Sequence, residues 1–211
     1  LGWFNDPLLS TTLALDSLDL ANTVIHELTH NTLFVRGEVT FNESFASFVG
    51  ARGAIRFFAA RGQARAARRV EAEWRDEKLL GSFWGATLSA VDSAYRRFPG
   101  DSAARVMARD TVFARMHRRL LDDVAPRLPT VPRERLARLS LDNASLLARR
   151  VYAADLWLFD AVHERAGGRL EATIALVGRL VREEPKDPFG ALRRWLDRTP
   201  AVGPPSVSAV P

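Results

Sequence analysis

Strand-like alternation of apolar and polar residues is almost absent from this 211-residue chain, and apolar residues recur instead at helical spacing nearly throughout. Gly62, Pro99-Gly100, the proline-bearing stretch 126–132, Gly167-Gly168 and the stretch 185–188 cut that pattern into segments. The spacing predicts helices over 16–35, 42–61, 64–98, 102–124, 133–140, 142–165, 169–183 and 187–197, with a break in the third near Gly81 or Gly85 left open. The best candidate for a strand is the short stretch 35–41. A mainly α fold follows, with one helical domain over 1–199. Residues 200–211 lack charge and are rich in Pro, Val, Ser and Ala, so they read as a disordered tail.

Composition narrows the class. A content of 47% hydrophobic and 26% charged residues is that of ordinary globular material, and the length suffices for a sizeable core. No apolar stretch reaches the roughly 18 residues that span a bilayer; the longest, 79–91, is interrupted by Gly and Ser. The net charge of +5 comes with arginine runs at Arg65-Arg68-Arg69, Arg115-Arg118-Arg119 and Arg193-Arg194. Each run is interleaved with acids (Glu71, Glu73 and Asp76; Asp122 and Asp123; Asp197), the pattern of a solvated helix face. No nucleic-acid-binding motif accompanies it, so no nucleic-acid partner is expected.

Within the first helical segment, His26, Glu27 and His30 stand as H-E-L-T-H. Residues four apart share one helix face, so both imidazoles can reach one metal ion. Glu27 lies about 100° round the helix from His26, where it can polarise a water in the metal's open position. Zn²⁺ suits imidazole and carboxylate ligands and lowers the pKa of bound water to about 7. Asp16 or Ser17 is expected to cap this helix, with Asp19 in its first turn. Leu20, Ala21, Val24, Ile25 and Leu28 should face a core, leaving the histidines to a cleft on the opposite side.

A catalytic zinc site needs a third protein ligand. The pattern with a glycine three residues and a histidine six residues after the second His is excluded, because those positions hold Leu33 and Arg36. No cysteine is available. Glu43 is the preferred third ligand: twelve residues separate it from His30, and six or seven of them outside helices can span up to about 20 Å. Asn42 would then cap the second helix and hold Glu43 in its first turn. Glu38, in the intervening turn, is the competitor, and Glu43 as a mere complement to the helix N-terminus is the plainer alternative.

The segments L-G-W-F-N-D-P-L-L-S at 1–10, D-L-A-N-T-V-I-H-E-L-T-H at 19–30 and F-N-E-S-F-A at 41–46 resemble a bacterial zinc aminopeptidase family of gluzincin-like type. D-N-A-S-L-L at 142–147, with Tyr152 beyond it, is a weaker match. The resemblance implies a gluzincin-like helical domain, with an HExxH helix followed by a Glu-ligand helix. It implies Zn²⁺ held by His26, His30 and Glu43, Glu27 as general base, and hydrolysis of a peptide substrate. Exopeptidase against endopeptidase action stays open. Only Tyr95 and Tyr152 offer a phenol to an oxyanion; Tyr152 matches the family position, and core packing beside Trp157 is its other reading. Asn143 could orient a ligand or cap its helix, and His163 could act as electrophile or lie on the surface. Arg149 or Arg150 could bind a substrate carboxylate.

Leu1-Gly2-Trp3-Phe4 reads like the inside of a fold, so an upstream part is expected. By resemblance that part would be exported and often lipid-anchored, which implies a bacterial cell envelope or periplasmic location; a chain without cysteine is compatible with it. Two other readings share the motif. One is a zinc-binding domain without catalysis, and the other is a helical partner-binding module.

Overall fold

A computed structural model of the chain describes residues 16–153 and 155–199, the side chains of 150–153 excepted. The expected tail over 200–211 and the segment 1–10 lie outside the described residues. Those described are mainly helical and include no strand.

Helix α1 (Ser17–Thr32) starts where its cap predicts, with the Asp16 carboxylate accepting from the Leu18 and Asp19 amides at 2.8 and 3.0 Å. Helix α2 (Val39–Ala60) begins three residues before the expected position, so 35–41 is no strand and Asn42 is no cap. The reason is the Asn42 side chain. Its Oδ1 accepts from the Val35 amide at 2.9 Å and its Nδ2 donates to the Val35 carbonyl at 2.8 Å. That clasp closes the connection, whose turn is made by Gly37 at a φ of +87°.

Helix α3 (Ala64–Arg96) runs unbroken through Gly81 and Gly85; packing outweighs the roughly 1 kcal/mol that each glycine costs a helix. Helix α4 (Ser102–Arg119) widens into a π turn at Leu120–Val124 and a 3₁₀ turn at Ala125–Arg127, where Pro126 ends the regular ladder. The chain then returns to α3: the Thr130 amide and hydroxyl both donate to the buried Asp76 carboxylate, at 2.8 and 2.6 Å. Short α5 (Arg133–Ala137) and α6 (Asn143–Ala153) follow. The single helix expected over 142–165 is interrupted, because Asp155 takes a left-handed φ of 52° before α7 (Leu156–Arg165) begins. Helices α8 (Leu170–Glu183) and α9 (Pro188–Arg198) complete the described chain.

The chain divides into two compact units, Leu1–Leu156 and Trp157–Pro211. In the first, α2 packs against α1, α3 and α6. Its Phe41, Phe45 and Phe48 rings stack at 6.1 and 6.2 Å, and Phe48 meets Trp74 of α3 at 6.2 Å. All four side chains are fully buried, as expected for a helix that is apolar on most of its circumference. In the second unit Phe159 packs beside Phe189 at 6.0 Å. The Asp187 carboxylate caps α9 through the Gly190 amide at 3.0 Å.

Surface arginines find acids one turn away, as in Arg69–Glu73 at 2.6 Å and Arg119–Asp123 at 3.8 Å. No helix among the described residues is long and apolar enough to cross a membrane.

Candidate metal centre

Helices α1 and α2 run antiparallel and lie unusually close. A Cβ on Gly50 would stand 2.4 Å from Asn22 Oδ1 and 3.0 Å from the Asn22 carbonyl oxygen, and one on Gly53 would stand 2.9 Å from Ile25 Cγ2. The fully buried Ala46 and Ala54 continue this small-residue seam. Close approach lets short contacts form between side chains that leave the two helices almost face to face.

Those side chains are the sequence-predicted ligands. His26 Nε2 lies 3.2 Å from Glu43 Oε2, His30 Nε2 lies 3.6 Å from Glu43 Oε1, and the two Nε2 atoms are 3.3 Å apart. The rings meet edge to face with centroids 5.0 Å apart. One ligand atom from each residue falls within 4.8 Å of the others. Donors bound at about 2.0–2.1 Å in a tetrahedral set are separated by about 3.3–3.4 Å, so the three side chains fit a small divalent cation. Two imidazole nitrogens facing each other beside a carboxylate form a polar nest that a hydrogen-bonded proton or a cation can hold together. Glu38 stays at the N-cap position of α2 and is outside this group.

The surroundings favour the neutral form of the His26 imidazole. Burial lowers the His26 pKa below its ordinary value, and His30 adds to the effect; Glu27 and Glu43 oppose it. Neutral imidazole is the form that binds metal. His30 and Glu43 are each only 7% exposed, and His30 Nδ1 is buried without a hydrogen-bond partner among the described residues.

The expected sidedness of α1 needs correction. The histidines do not lie opposite the packed face: they adjoin Leu18, Ala21 and Ile25, which pack on Ala54 and Phe58 of α2, while Leu28 is 57% exposed. The candidate ligands and the apolar contacts thus share the side turned to α2, because the seam of small residues there admits both.

Glu27 is exposed and projects beside His26 into an open cleft of about 200 Å³, which Asn22, Thr23, Ser47 and Glu77 also line. Sequence reasoning did not single out Glu77. It sits in the W-R-D-E-K stretch of α3, which reads as a solvated face, and only the fold turns it toward α1. Although the residue is half-buried overall, desolvation of its carboxyl pushes its pKa up to about 7.

The remaining candidates are placed as follows. Tyr95 is engaged by Asn143, whose Nδ2 donates to the phenol oxygen at 2.9 Å. Asn143 therefore does not cap α6; the Asp142 carboxylate does, accepting from the Ser145 amide at 2.8 Å. The Arg149 guanidinium lies over the Trp84 ring at 4.7 Å. His163 belongs to the second unit and is half-buried rather than exposed. Thr173 donates its hydroxyl to the Arg169 carbonyl, so its oxygen accepts from His163 Nδ1 at 2.8 Å. The side chains of Tyr152 and Arg150 lie outside the described residues.

Compared with known families, residues 1–191 match the one described as Putative aminopeptidase. The chain belongs to this family. No curated protein and no solved structure matches it. The match to the Putative aminopeptidase family takes in the whole α1–α2 pair, the cleft beside it and helix α6.

Proposed function

We propose that the chain is a zinc peptidase of gluzincin-like order, an aminopeptidase in which His26, His30 and Glu43 hold the ion and Glu27 is the general base. The convergence of two imidazoles and one carboxylate across the α1–α2 seam carries this reading. Two nitrogens, one oxygen and no thiolate make the donor set of a catalytic zinc site with an open position. A bound zinc ion supplies Lewis acidity at the scissile carbonyl and lowers the pKa of water to about 7.

The chain's own groups supply the proton handling. Glu27, exposed at the cleft beside His26, takes the attacking water's proton on a carboxylate oxygen. It returns that proton to the nitrogen of the leaving amine, so that the C–N bond breaks to give a free amine and a carboxylate. Burial favours the neutral form of the His26 imidazole. Tyr152 is proposed as oxyanion donor on the strength of its family position, and its helix α6 packs against α2, which carries Glu43.

The test pairs metal analysis with turnover. The protein is expected to purify with one zinc and to hydrolyse an amino-acid amide. Glu27→Gln should retain the zinc and lose hydrolysis by about 10²–10⁴-fold, the usual contribution of a general base. Undiminished hydrolysis by that variant, or wild-type protein without bound metal, would overturn the reading.

A further inference from the structure

The cleft beside His26 carries two acids of different character. Glu27 is exposed and lies next to a proposed ligand in sequence; Glu77 comes from α3 and has no hydrogen bond or ion pair to a described residue. The other lining residues, Asn22, Thr23, His26 and Ser47, include no lysine or arginine. An acid in that position gains most from a positive charge that arrives with a ligand.

We propose that the Glu77 carboxylate binds the free α-ammonium group of the peptide's N-terminal residue, with the chain end held in the cleft between α1 and α3.

This rests on the hydrolase reading above and adds to it the residue that selects a free N-terminus. Covalent geometry supports it, because an α-nitrogen sits only about 2.5 Å from the carbonyl carbon of its own residue. A group that binds the ammonium must therefore face the same small cleft as the general base, and Glu77 is the second acid that does. The cleft's volume, about 200 Å³, is below the roughly 300–1,000 Å³ of pockets for larger ligands and suits a chain end better than a continuing chain. Desolvation that holds the Glu77 pKa near 7 marks it as an acid without a resident counter-ion. Pairing with an ammonium would restore its charged form.

The test is calorimetric binding to the zinc-loaded chain of leucine hydroxamate and of 4-methylpentanohydroxamate, which lacks only the amine. The wild type is expected to prefer the amine-bearing compound by about 10- to 100-fold, the range of a charge-assisted hydrogen bond. Glu77→Gln should abolish that preference by weakening the amine-bearing compound alone, and Glu77→Asp should restore part of it. Equal wild-type affinity for the two compounds overturns the proposal, and so does a preference that survives in Glu77→Gln. If Glu77→Gln fails to fold, the wild-type comparison and Glu77→Asp still decide. Amine preference without hydrolysis of leucine amide would sink the hydrolase reading and leave the ammonium site standing. Hydrolysis of free and N-acetylated peptides at equal rates would do the reverse.

Discussion

Truncating Asn42 would leave the Val35 amide without its partner in a part of the chain shut off from water, while the Val35 carbonyl would still accept from the Glu38 amide at 3.1 Å. A buried group left unmet costs about 1–3 kcal/mol, so Asn42→Ala should destabilise the protein by about that amount in urea unfolding. The same variant should bind zinc more weakly in a chelator competition, since Glu43 is the next residue and depends on where α2 begins. Unchanged stability would show that the clasp contributes nothing. At this scale the convergence of His26, His30 and Glu43 was legible, because H-E-L-T-H spacing on a helix is a local property and N-E-S-F-A follows within one short connection. Asn42 was read in the wrong role, as a cap, since its partner is chosen by how the loop folds back. Glu77 left no mark in the sequence at all; its neighbours across the cleft come from α1 and α2.

The closeness of α1 and α2 makes Gly50 the most sensitive position of that pair. A side chain there would meet Asn22 Oδ1, the Asn22 carbonyl and His26 Cβ, at 2.4, 3.0 and 3.3 Å from the first added carbon. Gly50→Val should cost about 1–3 kcal/mol, the usual range for overpacking, and should raise the dissociation constant for zinc by forcing His26 away from Glu43. Gly85 provides the control, because nothing lies within 4 Å of its would-be Cβ; Gly85→Ala should leave both quantities unharmed. The helical type of the segments and most of the breaks between them were readable from periodicity and from Pro and Gly. The early start of α2 and the interruption near Asp155 were not. Gly37 marks the turn before α2 but not the residue at which the helix starts, and no glycine or proline stands beside Asp155, so tertiary contacts set those boundaries.

Across the molecule, the three proposed ligands all belong to the Leu1–Leu156 unit. Metal binding adds to the stability of the folded state by mass action, about 2.7 kcal/mol at a hundredfold excess over the dissociation constant. Stripping the ion with a chelator should lower the Tm by roughly 5–10 °C, read by scanning calorimetry. Glu43→Ala should melt at the lower temperature with or without chelator. A wild-type Tm that ignores the chelator would mean that no ion is held there. The helical class was legible for the chain as a whole because strand periodicity is missing. What the fold adds is the arrangement of α3 beside the α1–α2 pair, which no local signal specifies.

The grouping of His26, His30 and Glu43 on one antiparallel helix pair also bears on the order of events during synthesis. Closing so short a connection loses little chain entropy, and such local contacts form in microseconds to milliseconds. A ribosome adds only about 5–20 residues per second. The His26–His30–Glu43 nest is therefore expected to assemble while the Trp157–Pro211 unit is still untranslated, so the nascent polypeptide could take up the proposed ion before the helices of that unit exist.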